Sequence, residues 1–128
     1  MVREVAFLEA SRFCEIARDI ASGPVIITDE RIEHIRFRHP GDWEHFGQYI
    51  QEVIERPDFI LSDNNPATAV CVLRLTLDDM ERHLRVTLRL HTSEDQPERL
   101  HSVLTYQKIN KKEYNRLSRS KKIVYRKA

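Results

Sequence analysis

Residues 83–91 read HLRVTLRLH, and their alternation decides the architecture. Leu84, Val86, Leu88 and Leu90 project to one side of an extended strand, while Arg85, Thr87, Arg89 and His91 project to the other. One face is therefore apolar enough to lie on a core and the other is cationic. On either side of this strand the chain keeps the same character. Residues 68–77 are rich in Val, Leu and Thr, Asp78 and Asp79 begin a turn, and after a polar loop at 92–98 a further strand runs over 101–109.

Upstream the periodicity is helical. Apolar residues at 5–21 (Phe7, Ala10, Phe13, Cys14, Ala17, Ile20 and Ala21) recur at helix spacing until Gly23 and Pro24, predicting an amino-terminal helix. Pro24 to Ile27 form a short β-branched strand. Thr28 and Asp29 open a second helix that ends near Arg38, because His39 precedes Pro40 and is disfavoured in α geometry. Asp42 caps a third helix with the stripe Trp43, Phe46, Ile50, Val53 and Ile54, closed by Pro57. Residues 59–61 and 123–125 read as short strands, 63–66 as a turn and 110–120 as a basic helix. Helices first and strands later predict an α+β fold, with amino-terminal helices packed on a largely antiparallel sheet.

At 128 residues, with 41% apolar and 32% charged residues, the chain fits one domain with one core. No apolar run approaches the ~18 residues of a membrane span, and the start lacks the order of a secretory signal, so the expected location is cytoplasmic. Cys14 and Cys71 are too few for a disulfide framework or a zinc ribbon. Charge is uneven: residues 1–107 hold 12 Arg, no Lys and 19 acids, a net −7, whereas 108–128 hold nine Lys and Arg against one acid, a net +8. That tail suits a polyanion such as nucleic acid, and equally a solvated terminal helix.

Three groups of residues carry candidate chemistry. His34 and His39 lie on the second helix among Arg31, Arg36 and Arg38, and a histidine pair supplies a general base and a general acid near neutral pH. Five positions apart, they face roughly 140° apart on an ideal helix and converge only if it unwinds at His39. They also read as a solvated polar residue and a helix-terminal one. Glu33, His34, His39 and Glu44 allow a metal reading but lack a recognised ligand spacing. The row Arg85, Thr87, Arg89 and His91 suits a phosphate chain, since guanidinium grips phosphate with two parallel hydrogen bonds; it also serves as the solvent side of a half-buried strand. Ser102, Thr105, Tyr106 and Lys108 could bind a phosphate and stack a base, or be ordinary strand residues.

Taken together, IITDERIEHIRFRHP (26–40), DWEHFGQYIQEVIERPDFIL (42–61), LRVTLRLHTS (84–93), SVLTYQKINKKEYNRL (102–117) and KKIVYRK (121–127) resemble the phage and bacterial toxin domains of the barnase–EndoU–colicin E5/D–RelE superfamily of nucleases. The resemblance covers about residues 24–126, with 1–23 added as the amino-terminal helix of a single domain 1–128. It implies a four- to five-stranded antiparallel sheet and a metal-independent endoribonuclease without cofactors, leaving a 2′,3′-cyclic phosphate and a free 5′-hydroxyl. It carries over His34, His39, Arg89 and Thr105 as catalytic, with Arg85, His91, Ser102, Tyr106 and Lys108 around the substrate. RNA, tRNA among its classes, is the expected partner. A neutralising inhibitor protein would restrain such a toxin, which acts in its own cytoplasm or, as part of a larger toxin, in a target cell's. The rival readings are an RNA-binding regulator that does not cut, a metal-dependent phosphodiesterase, and a structural or inhibitor protein whose basic tail contacts an acidic partner.

Overall fold

The computed structural model describes residues 1–96 and 100–128; positions 97–98 of the polar loop fall outside the described residues. The alternating segment becomes β5 (Met80–Arg89), and Leu84, Val86, Leu88 and Leu90 are all fully buried, as the pattern requires. It pairs antiparallel with β4 (Thr68–Leu77) through a two-residue turn. Asp78 and Asp79 there both adopt left-handed backbone conformations, φ 51° and 61°, matching the twist of a tight hairpin.

The amino terminus departs from expectation. Val2–Leu8 is a strand, β1, followed by a 3-10 turn at Ala10–Arg12, and not a helix over 5–21. Ala6 and Leu8 point inward with Phe7 exposed between them, a period of two that a helical reading of Phe7, Ala10 and Phe13 overlooks. The deciding partner is β2 (Gly23–Thr28), which supplies an antiparallel ladder from Val2 opposite Thr28 to Leu8 opposite Gly23. With β3 (Phe59–Ser62), β6 (His101–Ile109) and β7 (Ile123–Arg126), the described residues form one seven-stranded sheet ordered β1-β2-β6-β5-β4-β3-β7. Because β2 runs parallel to β6, the sheet is mixed. The expected four- to five-stranded antiparallel sheet carrying amino-terminal helices is therefore corrected on strand number, pairing and the nature of the first element.

Helix α1 (Asp29–Arg38) forms where the sequence places it. The Thr28 hydroxyl accepts the Arg31 amide at 3.1 Å, Asp29 and Glu30 complement the dipole, and the chain leaves the helix at His39 before Pro40. The expected third helix is divided into α2 (Asp42–Phe46), a 3-10 turn at Gly47–Tyr49 and α3 (Ile50–Glu55). Gly41, at φ 85°, takes the cap position expected of Asp42, whose carboxylate instead accepts the Lys108 amide at 2.8 Å. A side chain at Gly47 would begin only 3.1 Å from the Trp43 ring, so this turn closes tightly on the indole.

Two apolar layers result. Ile32, Ile35, Ile50, Val53 and Ile54 pack with Leu84, Val86, Val103 and Tyr106 on one side of the sheet. On the other side α4 (Lys111–Ser118) sets Leu117 and Tyr114 against Phe59, Leu61, Val70, Val72 and Ile109. Strands β3 and β4 are thus covered on both faces. Beyond α4, the second face of β5 and β6 carries polar, half-buried side chains.

Candidate functional site

Arg85, Thr87 and Arg89 occupy that second face, and register fixes their neighbours on β6: Gln107 lies opposite Arg85, Thr105 opposite Thr87 and Ser102 opposite Arg89. All six are half-buried, reachable from solvent yet held by flanking strands. Arg89 is the most constrained. It donates to Asp95 Oδ1 at 3.0 Å and to the Leu90 carbonyl, so its guanidinium has a set direction. Asp95 is itself fixed by the Thr92 amide at 2.8 Å. That hydrogen bond, ahead of the nearby Arg89 charge, holds its carboxyl below the usual range, so the counter-ion stays ionised.

Arg89, His91 and Ser102 line one open depression of about 380 Å³ with Thr28, Ile26 and Asp95. His91 is oriented from two sides: its backbone N–H donates to His101 Nδ1 at 2.9 Å, and its ring Nε2 donates to the Gln96 carbonyl at 3.0 Å. His101 is buried, with Nε2 donating to the Ala21 carbonyl at 2.7 Å. Burial lowers its pKa, so it is a neutral strut beneath the site.

Arg89, His91 and Ser102 thus share a depression, and Arg85 and Thr105 lie farther along the same strand face. Tyr106 and Lys108 do not. Tyr106, expected to stack on a base, is fully buried, edge-on to Trp43 at 6.3 Å, and its hydroxyl donates to the Phe46 carbonyl at 2.7 Å. Lys108 follows it with the same parity and is exposed beside Pro40, Gly41 and His45. The cause is a bulge in the β5–β6 register after Thr87, which puts Thr105 and Ser102 on one face although they are three residues apart.

His34 is exposed on α1 and His39 is half-buried at its end. Both stand outside the depression that Arg89 lines. Ile32 and Ile35 mark the buried stripe of α1, and its two rims differ. Arg36 is tied to Glu44 of α2 at 2.6 Å, which turns that rim toward the α2 layer. Arg31, His34 and Arg38, at spacings of three and four, form the opposite rim and continue from Thr28, which lines the depression with Arg89. Arg36 also binds Glu33, so the carboxylates of Glu33 and Glu44 are both engaged by this guanidinium. Among the described residues no group of three or more His, Cys, Asp or Glu is placed to hold a metal ion.

Sequence reasoning passed over Gln107, which needs only the register, and His83, which begins the same polar row two residues before Arg85. Counting back once more along the alternation finds it. His83 is 5% exposed and faces Tyr114 at 4.9 Å between ring centroids. The Tyr114 hydroxyl donates to Asp58 at 2.8 Å, which anchors α4 beside the row.

No helix among the described residues is long and apolar enough to cross a membrane. No curated protein and no solved structure matches the chain. The family described as phage-Barnase-EndoU-ColicinE5/D-RelE like nuclease2 matches residues 6–126, nearly the whole length, and the chain belongs to that family of nucleases.

Proposed function

We propose that the chain is a metal-independent endoribonuclease whose scissile phosphate lies on the second face of β5 and β6. The observation that carries this reading is the pair Arg85 and Arg89 on one partly exposed strand face, opposite Gln107, Thr105 and Ser102. Two guanidinium groups there meet the non-bridging oxygens of a phosphodiester, and the preset direction of Arg89 favours the pentavalent phosphorane, where negative charge is greatest. The hydroxyls of Thr105 and Ser102 donate to the same oxygens. The 2′-hydroxyl loses its proton to a neutral imidazole as O2′ attacks phosphorus. The bond from phosphorus to O5′ breaks, and a protonated imidazole supplies the proton that O5′ takes up. We assign these two roles to His34 and His39, which stand outside the depression and reach the phosphate only around the β6 edge that α1 follows, while His91 already lies beside Arg89 and Ser102. The products are a 2′,3′-cyclic phosphate and a 5′-hydroxyl.

The test is cleavage of total RNA by the full chain in EDTA, followed by end-group analysis. Cyclic phosphate ends are expected; loss of cleavage in EDTA, or 5′-phosphate ends, would overturn the mechanism. The exposed cations of α4 and its C-cap (Lys111, Lys112, Arg116 and Arg119) favour a second reading, an RNA-binding regulator, which intact but gel-shifted RNA would support. The biological setting this activity class calls for is a toxin acting on RNA, tRNA among its targets, in a cytoplasm. An acidic inhibitor protein covering the basic tail would restrain it.

A further inference from the structure

Where β5 starts, β6 ends and α4 begins, a pocket of about 350 Å³ is lined by His83, Arg82, Lys108, Asn110 and Lys111, with Glu81 at its rim. His83 is 95% buried, yet its Nε2 has no hydrogen-bond partner among the described residues. The nearest carboxylate oxygen, on Glu81, is 3.6 Å away, too far for a hydrogen bond. A buried ring nitrogen left in this state invites a partner from outside the fold. The start of α4 offers a matching set of donors. Asn110 caps the helix by accepting the Glu113 amide at 2.8 Å, while the amides of Lys111 and Lys112, in the first turn, have no acceptor within the helix. Lys111 supplies a positive charge at the helix end, Arg82 and Lys108 line the pocket from strand positions of the opposite parity, and Glu81 is the one carboxylate among the lining residues. Orphan donors, a helix amino end and surplus cations together specify an anion.

We infer that this pocket is a second phosphate subsite, holding a backbone phosphate of the RNA next to the one that is cut; this rests on the ribonuclease reading. Strand geometry sets the distance. His83 and Arg85 are two residues apart on one face, roughly 7 Å at the rise of a β-strand, which is close to the step between neighbouring phosphates of an extended strand of RNA. The row His83, Arg85, Thr87 and Arg89 therefore tracks the chain, with Arg85 on the scissile group, His83 on its neighbour, and Arg89, roughly 13 Å along the strand from Arg85, at the far end of the row. Burial lowers the His83 pKa, with Arg74 and Lys111 adding to the effect against Glu81 and Asp58, which favours the neutral ring; the subsite requires its Nε2–H tautomer, the one that donates to phosphate. Its contribution is positional: it fixes the register of the RNA on the sheet.

Two measurements on the full chain test this. In the first, imidazole ¹H–¹⁵N spectra follow all the histidines while inorganic phosphate replaces chloride at constant ionic strength. The His83 signals should move saturably, and Lys111→Gln, at an exposed position, should weaken that binding about tenfold. Absence of a saturable His83 response, or an equal response in Lys111→Gln, overturns the subsite. In the second, Lys111→Gln should raise KM for an oligoribonucleotide with kcat kept, and lower the slope of log affinity against log salt by about 0.7. An unchanged KM and slope overturn the assignment to RNA. If RNA is not cut at all, the same slope is read from binding of intact oligonucleotide, so failure of the ribonuclease reading is separable from failure of the subsite.

Discussion

Replacing Tyr106 by Phe removes one oxygen atom from the centre of the molecule and leaves the ring in place. The hydroxyl donates to the Phe46 carbonyl at 2.7 Å, where α2 passes into the turn at Gly47–Tyr49, and the residue has no exposed surface. A typical hydrogen bond contributes about 1 kcal/mol net, and a carbonyl left buried without its donor moves the loss toward about 2 kcal/mol. Removing a polar oxygen from the core and keeping the edge-on contact with Trp43 both act the other way, so about 1–1.5 kcal/mol is expected. For a chain of this size each kcal/mol shifts the melting temperature by about 4 °C, giving a fall of about 4–6 °C. The assay is thermal unfolding by circular dichroism, paired with RNA cleavage well below the transition. The expected result is a lower Tm with kcat/KM unchanged. An unchanged Tm together with a large loss of cleavage would mean that the hydroxyl reaches RNA, and would refute the placement of Tyr106 in the core.

Three further outcomes are expected. Arg89→Gln should lower kcat by about 10²-fold, the usual effect of removing one preset donor at developing negative charge, with little change in Tm; an unchanged rate strikes this arginine from the mechanism. His34→Ala should lower cleavage by about 10²-fold while the protein stays folded, since the side chain is exposed; full activity would assign proton transfer to another group. Burial holds His101 and His83 below the ordinary imidazole value of 6.5, so the unfolded chain binds protons first as pH falls. Their stabilising effect is complete above about pH 7 and is lost progressively below about 6.5, and a Tm that rises on mild acidification would contradict this sign.

The central strands were readable because burial writes a period of two into them: Leu84 to Leu90 needed only alternation to be placed inside, and Arg85 and Arg89 outside. Helix α1 was readable from its ends, since Thr28 and Pro40 act through local geometry. The first 23 residues were not, because what makes Val2–Leu8 a strand is its ladder with β2, and although 24–27 reads as a strand, no local pattern pairs it with residues 2–8. The site divides the same way. Arg85 and Arg89 follow from parity alone. Ser102, Tyr106 and Lys108 share parity in the sequence, yet the bulge after Thr87 parts Ser102 from the other two and joins it to Thr105. An inserted residue in a ladder is a relation between two strands, and one strand's sequence does not reveal it.

The element misread at the amino terminus also bears on how the site is assembled. Strand β2 pairs with β6 only at Val25–His101 and Ile26–Ser102, and Thr28, its last residue, caps α1. Once β2 ends, the remaining edge of β6 is open, and α1 runs beside it. Strand β1 holds β2 in that position along its whole length, aided by the Asp29 amide donating to the Met1 carbonyl. The hairpin of β1 and β2 thus sets where α1 starts, and so which rim of the helix, the one with Arg31, His34 and Arg38, follows Thr28 out of the depression that Arg89 lines. A helix over 5–21 would have given β2 no antiparallel partner and α1 no fixed origin. The position of the α1 imidazoles relative to the arginines of β5 therefore depends on a strand that contributes no chemistry of its own.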